Sequence, residues 1–251
     1  MAFVKRREGA HPDFFAAEAA GLRWLADGGA PTVDVLEVAA DHIVLERLDS
    51  VRPTPDAARR FGALLARTHD SGAPRFGSPP AGFDGTLFIG SRTMSSAEHD
   101  HWGEFYAQER VLPYLRVAVD AGTVTRDEAD LVERACTVVA DGSFDSTDPP
   151  ARLHGDLWTG NVLWTPGGVT LIDPAAHGGH RETDLAMLSL FGCPHLEHLL
   201  DGYQEQHELA PGAEERVPLH QLHPLAVHAA GHGRSYGVAL ADAARRTLAL
   251  V

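Results

Sequence analysis

The chain has 251 residues, 44% hydrophobic and 22% charged, enough for one large domain or two unequal lobes with cores of their own. Thirty-five Asp and Glu against 21 Lys and Arg give a formal net charge of −14 that no basic run offsets. A phosphate-backbone binder shows a basic face, so nucleic acid is excluded as a partner, whereas a nucleotide held by a few local cations and a metal ion is not.

Cys136 and Cys193, far apart, make no disulfide framework, "MAFVKRREG" contains no apolar signal core, and no apolar run reaches membrane-spanning length. The expectation is a cytoplasmic protein without membrane attachment. In chain order, "AFVKRR" predicts a short strand. "HPDFFAAEAAGLRWLADGG" predicts a helix, with Pro12 in its first turn and Gly28–Gly29 at its end. Phe14, Glu18, Leu22 and Leu25 share one stripe, which turns the Glu18 carboxylate inward, where it needs a partner. "TVDVLEVAADHIVLERL" predicts two strands joined near Ala40–Asp41, and "VRPTPD" a linker. This divides the chain into a small first lobe, residues 1–50, and a larger second lobe, residues 51–251.

"PDAARRFGALLARTHDSG" predicts a helix with Phe61, Leu64, Leu65 and His69 near one face. Residues 71–97, rich in Gly, Pro and Ser, predict a long surface connection. Two helices follow, the first interrupted at Pro113. "NVLWTPGGVTLID" predicts a hairpin turning at Pro166–Gly167–Gly168, and the remainder is helical from "ETDLAMLSLFG" onward.

The chemistry concentrates in "RLHGDLWTGNVLW", residues 152–164, together with Asp173 at the end of the predicted hairpin. An Asp, an Asn five residues later and a further Asp after a short hairpin is the order of phosphoryl-transfer sites of the protein-kinase type. Asp156 would orient the attacking hydroxyl and accept its proton. Asn161 and Asp173 would supply hard oxygen ligands to Mg²⁺. Lys5 on the first strand and Glu18 on the following helix match the ion pair that such sites place on the nucleotide phosphates. The bland alternative is an Asx-turn loop between buried strands, with Asp173 capping a strand end and Lys5 at the surface.

On these residues the chain resembles the fructosamine kinase (ketosamine-3-kinase) family, within the aminoglycoside-phosphotransferase-like branch of the protein-kinase fold. The resemblance is carried by "FVK" with "EAAGLRWL", by "FGALLARTH" and "FYAQERVLPYL", and most of all by "LHGDLWTGNVLW" continued by "IDPAAHGGHRETDLAMLSLFG". It implies an α+β, two-lobed, protein-kinase-like fold: a small N-terminal antiparallel sheet with one helix, and a larger, mainly helical C-terminal lobe. It implies transfer of phosphate from ATP, with Mg²⁺, to a sugar hydroxyl of a ketosamine, a small-molecule or glycated-amine substrate. By the resemblance Asp156 is the catalytic base, Asn161 and Asp173 bind the metal, and Lys5 with Glu18 holds phosphate. Glu46, Arg47 and Leu48 form the hinge that meets adenine, and Asp184 is a buried carboxylate fixing the catalytic loop. Trp158, His180, Arg181 and Glu182 are candidates for the acceptor pocket.

In such a fold two strands joined by a Gly-rich loop precede the strand bearing the Lys, and the 251 residues do not contain them, so the small sheet is expected to be shortened and to expose an edge. Two further readings stay open at this point: a kinase of another small hydroxylated molecule, such as an aminoglycoside or amino alcohol, and a kinase-like binding protein with impaired catalysis. The expected assembly is a monomer or homodimer. The 15 histidines include i, i+4 and i, i+3 pairs (His228/His232, His220/His223), but no zinc-site spacing accompanies them, and no nucleophile elbow surrounds the serines.

Overall fold

The computed structural model describes residues 2–251. Strand β1 (Ala2–Arg6) is followed by helix α1 (Phe14–Asp27) and by strands β2 (Val35–Val38) and β3 (His42–Glu46). The three strands form an antiparallel sheet in the order β1-β3-β2, with Lys5 opposite Ile43, and α1 packs its apolar face on it. The burying residues are Phe15, Ala19 and Leu22 from the helix, Ile43 and Leu45 from β3, and Val33 just before β2. The stripe predicted for α1 is correct in sense: Glu18, Leu22 and Leu25 are all buried. Pro12 lies just before the helix rather than in its first turn, and Asp13 takes the cap position.

Helix α2 (Pro55–Asp70) starts at Thr54, whose hydroxyl accepts from the Ala57 N–H, with Pro55 in the first turn where no N–H partner is needed. Residues 71–97, expected as a long surface connection, contain a hairpin of β4 (Leu87–Ile89) and β5 (Arg92–Met94) with Gly90 at its turn. Leu87, Ile89 and Met94 are buried, so the segment is a packed wall and not a surface loop. Strand β6 (Ala151–Leu153) leads into the His154–Asn161 loop. The predicted hairpin is β7 (Val162–Thr165) with β8 (Gly168–Leu171), turning at Pro166–Gly167. Asp173 lies two residues beyond β8 instead of ending it, with a positive φ of 52°. Gly178 and Gly179 lie in strand β9 (His177–Gly179), paired antiparallel with β6. A Cβ on Gly179 would come 2.4 Å from the end of the Leu153 side chain, which would have to shift. Helices α6 (Arg181–Leu190) and α7 (Leu196–Gln204) follow, and α7 packs on α2.

The chain divides into two compact units. The first takes in Met1–Pro74, Ser78–Ser96 and Pro149–Leu209, so the division expected at residue 50 does not coincide with a boundary between units. The physical reason is a seam of backbone bonds: Leu171 N–H to Pro31 O at 2.7 Å, Val33 N–H to Leu171 O at 3.0 Å and Val51 N–H to Trp164 O at 2.8 Å. These join the small sheet's surroundings to the β7–β8 hairpin, and both sides share buried side chains around Trp24, Phe61, Leu157 and Leu171.

The second unit, Arg75–Gly77, Ala97–Asp148 and Ala210–Val251, is helical. It holds α3 (Trp102–Phe105), α4 (Leu112–Asp120), α5 (Arg126–Ala140), α8 (Ala213–His220), α9 (Leu222–His232) and α10 (Arg234–Leu248). The break expected at Pro113 is real: a π-type turn over Tyr106–Val111 precedes α4, and Pro113 sits in the first turn of α4. His223 serves structure here. Its Nδ1 donates to the Arg110 carbonyl at 2.7 Å, and burial pulls its pKa down to about 3, so it stays neutral. No helix of the described residues is long and apolar enough to cross a membrane.

Candidate active site

The loop carrying Asp156 leaves β6 at Leu153 and is held at its root. Asp184, fully buried on α6, accepts the His154 N–H at 2.8 Å on Oδ2 and the Gly155 N–H at 3.0 Å on Oδ1. His154 Nε2 donates to the Ile172 carbonyl at 2.9 Å, which leaves Nδ1 to accept the Asp156 N–H at 3.2 Å. Burial lowers the His154 pKa, in keeping with this neutral tautomer. Gly155 has φ of 80°, and a Cβ there would lie 2.1 Å from the Ala175 carbonyl oxygen, so the turn aiming Asp156 admits only glycine.

Beyond the turn, the Asn161 amide donates to the Asp156 carbonyl at 2.8 Å, to its Oδ2 at 3.1 Å and to the Asp173 carbonyl at 3.4 Å. One side chain therefore ties the catalytic loop to the segment after β8. From the other side, Lys5 Nζ contacts both Glu18 oxygens at 2.9 Å and also the Asp173 Oδ1. The five residues expected to act together, Lys5, Glu18, Asp156, Asn161 and Asp173, line one cavity of about 330 Å³, with Trp158 at its mouth. Trp158 is 37% exposed, and its ring covers Gly160 so closely that a Cβ on Gly160 would lie 2.3 Å from it.

The electrostatics follow from two carboxylates on the Lys5 ammonium, with the buried Asp156 in the same cavity. Burial pushes the Asp156 carboxyl up to about 7, aided by the charges of Asp173 and Asp184 and opposed by the Asn161 hydrogen bond. Burial likewise pushes Glu18 up to about 7 against the pull of Lys5. Burial acts to lower the Lys5 pKa, but Glu18 and Asp173 outweigh it and hold the ammonium above its ordinary value. The Asn161 amide nitrogen is committed to Asp156, which leaves its Oδ1 and the Asp173 Oδ2 without a hydrogen-bond partner among the described residues. Two open hard oxygens beside excess negative charge fit a divalent cation of the Mg²⁺ type.

A second cavity, about 470 Å³, shares Lys5 and Asp173 with the first and is lined by Phe3, Val33, Leu45, Leu48, Leu163 and Ile172, with Glu46 and Arg47 at its rim. Its walls are apolar apart from that rim and the Lys5–Asp173 pair it shares with the first cavity.

The acceptor candidates separate. Trp158 lines the catalytic cavity, whereas His180, Arg181 and Glu182 are not among its walls. His180 caps α6, accepting the Glu182 N–H at 3.2 Å, and Glu182 is buried in the first turn of that helix. Arg181 is 2% exposed and donates to Asp70 at 2.9 Å and to the Tyr203 hydroxyl at 3.1 Å. His180 and Glu182 thus sit at the N-terminal end of α6 and Arg181 in the network of Asp70 and Tyr203, outside the walls of this cavity. The cavity walls that sequence reading missed are Arg7, Phe14 and the β4–β5 residues Leu87, Phe88 and Gly90. The short apolar run before Gly90–Ser91 was a usable hairpin signal, hidden by the surrounding Gly, Pro and Ser.

This fold and this constellation define a phosphotransferase of protein-kinase-like architecture. The sequence profile of the fructosamine kinase family matches residues 1–249, and the chain belongs to that family. A solved structure provisionally assigned as fructosamine-3-kinase from Thermobifida fusca is 45% identical, superposes with a TM-score of 0.91, and is matched over 99% of this chain and 85% of that one. A provisionally assigned ketoamine kinase of Enterococcus faecium is 32% identical over 241 residues, 94% of this chain and 83% of that protein. A counterpart from Vibrio parahaemolyticus is 32% identical over 182 residues, 72% of this chain and 60% of that protein. A choline/ethanolamine kinase family structure from Mesorhizobium loti, 18% identical with a TM-score of 0.57 over 99% of this chain and 82% of that one, shares the fold.

Proposed function

We propose that the protein transfers the γ-phosphoryl group of ATP to a sugar hydroxyl of a ketosamine, a fructosamine-type acceptor. The observation that carries this reading is the convergence of Asp156, Asn161, Asp173 and the Lys5–Glu18 pair on one cavity that opens beside an apolar one. Adenine fits the apolar cavity, against Phe3, Leu45 and Leu48, with the backbone of Glu46 to Leu48 at its rim. Lys5, steadied by Glu18, meets the phosphates at the point where the two cavities join. Asn161 and Asp173 would hold Mg²⁺, which supplies neutralisation of the phosphate charge when bound.

Asp156 takes the acceptor hydroxyl proton as the hydroxyl oxygen bonds to the γ-phosphorus and the bond to the β,γ-bridging oxygen breaks, releasing ADP. A carboxyl held near 7 is suited to that role, because it is a stronger base than an ordinary aspartate and is still ionised above neutrality. Trp158 provides an apolar wall for the sugar. The name of the Enterococcus faecium relative supports a ketoamine as the acceptor class.

The test is a coupled assay of ADP release with a panel of fructosamines, aminoglycosides and amino alcohols at fixed ATP and Mg²⁺. Phosphorylated fructosamine, abolished in Asp156→Ala with the fold intact by circular dichroism, is the expected result. Turnover on an aminoglycoside or amino alcohol alone would replace the acceptor, and no turnover on any acceptor would leave a binding protein.

A further inference from the structure

Strand β1 and the residue after it present three alternate residues to the two cavities. Phe3 lines only the apolar cavity, Lys5 lines both, and Arg7, just past the strand, lines only the catalytic one. Alternate residues of an extended chain share a face and are spaced by about 7 Å, so this row measures position along the site. If the base lies by Phe3 and the phosphates by Lys5, Arg7 stands past the point of transfer, on the acceptor's side.

The Arg7 backbone is fixed there by its N–H, which donates to the Asp41 carbonyl at 3.3 Å. Its guanidinium stacks over the Phe14 ring at 4.7 Å. Phe14 in turn packs edge-on against Phe88 of the β4–β5 hairpin, with ring centroids 5.2 Å apart. The hairpin is tied to the start of α1 by the Thr86 N–H, which donates to Asp13 Oδ2 at 2.9 Å. A guanidinium lying on an aromatic face keeps its in-plane N–H edge open, the edge that matches a planar carboxylate. Lys5 is committed to Glu18 and Asp173, while Arg7 pairs with no carboxylate among the described residues. It is the uncommitted cation of a cavity whose other charges are Lys5 and three carboxylates, and an acceptor without an anionic group would leave it unmatched.

We propose that Arg7, seated on Phe14 and Phe88, is a specificity-determining residue that binds the carboxylate of the acceptor, so that the preferred substrates are ketosamines formed on an amino acid and not on a simple amine. The proposal rests on the phosphotransfer reading above and names the substrate class within it.

Two acceptors that differ only by the carboxylate, fructosylglycine and fructosylmethylamine, test it. Wild-type protein is expected to show kcat/KM at least tenfold higher for fructosylglycine. Arg7→Met should bring that ratio to within about twofold of one, Arg7→Lys should retain part of it, and the KM for ATP should move less than twofold in both variants. A wild-type ratio near one overturns the proposal. So does an Arg7→Met variant that keeps the ratio while its KM for ATP rises tenfold, which would assign Arg7 to the nucleotide phosphates. If neither compound is phosphorylated, the phosphotransfer reading fails by itself and calorimetric binding of the two compounds decides the rest. Carboxylate-dependent binding lost in Arg7→Met sustains the Arg7 site, and equal or absent binding overturns it.

Discussion

His69 Nε2 lies 3.2 Å from Asp184 Oδ2, with both side chains buried, and this contact ties helix α2 to the catalytic loop. The direction of its hydrogen bond is forced. Asp184 is held below the ordinary carboxylate range, because its hydrogen bonds from His69 and from the loop backbone outweigh the cost of burial, so it accepts. His69 must then donate from Nε2 and accept on Nδ1 from the Tyr203 hydroxyl at 2.8 Å, whose oxygen accepts from Arg181. Burial lowers the His69 pKa and keeps the ring neutral in this relay. Polar groups with fixed donor directions thus run from a cation, Arg181, to an anion, Asp184, which itself holds the turn before Asp156.

His69 substitutions should therefore act on turnover and hardly on nucleotide binding. Gln can place an amide N–H near the Nε2 position, whereas Leu cannot. His69→Leu is expected to lower kcat by roughly 10–100-fold with the KM for ATP within about twofold, and to lose about 2 kcal/mol of stability in urea unfolding, the scale of a buried hydrogen bond to a charge. His69→Gln should recover most of kcat. Amide exchange at His154 and Gly155, read by mass spectrometry, should accelerate in the Leu variant alone.

Asp156 carries a stability cost with a defined sign. Its folded pKa of about 7 lies above the unfolded value of 3.8, so the folded state binds the proton more tightly and stability falls as pH rises from about 4 to 7, then levels. Asp156→Asn removes that cost. The variant should gain stability over wild type at pH 8 relative to pH 4, by on the order of 4 kcal/mol at most for a shift of this size. Parallel denaturant titrations at the two pH values check it, and an unchanged difference would show that Asp156 titrates normally. Activity should behave in the opposite way, with kcat/KM rising through pH about 7 as the base ionises.

Glu18 should matter through Lys5. Lys5 sits between Glu18 and Asp173, and neutralising Glu18 leaves the ammonium to Asp173 alone. Glu18→Gln is expected to raise the KM for ATP several-fold and to weaken Mg²⁺ binding measured without nucleotide, since Asp173 is then shared more tightly with Lys5. An unaltered KM together with unaltered metal affinity would place the pair outside the phosphate site.

The crossing of α2 and α7 sets where His69 meets Tyr203. A Cβ on Gly62 would lie 1.9 Å from the Leu199 carbonyl oxygen, and one on Gly202 would lie 2.0 Å from that of Arg59. Both obstacles are backbone, so the helices must separate. Gly62→Ala should lower stability by about 3 kcal/mol, at the upper end of the usual overpacking penalty, and reduce kcat as His69 is drawn away from Asp184. A variant of wild-type melting temperature would mean that the crossing relaxes freely.

What the sequence determined by itself was local and chemical. The helix stripe turned Glu18 inward, the spacing singled out Asp156, Asn161 and Asp173, which line one cavity, and the Pro-Gly-Gly turn fixed the β7–β8 hairpin. Each depends on residues close in the chain, where periodicity and turn preference act directly. What only the tertiary structure decided involved partners far apart in sequence. Lys5 meets Asp173 across 168 residues, His69 meets Asp184 across 115, and Arg181 donates to Asp70 across 111. The β4–β5 hairpin became a cavity wall only because Phe88 found Phe14 and Asp13 found the Thr86 N–H. Neighbours in the chain choose their own conformation, but a buried charge is satisfied by whichever donor the packing brings to it, and no local pattern names that donor.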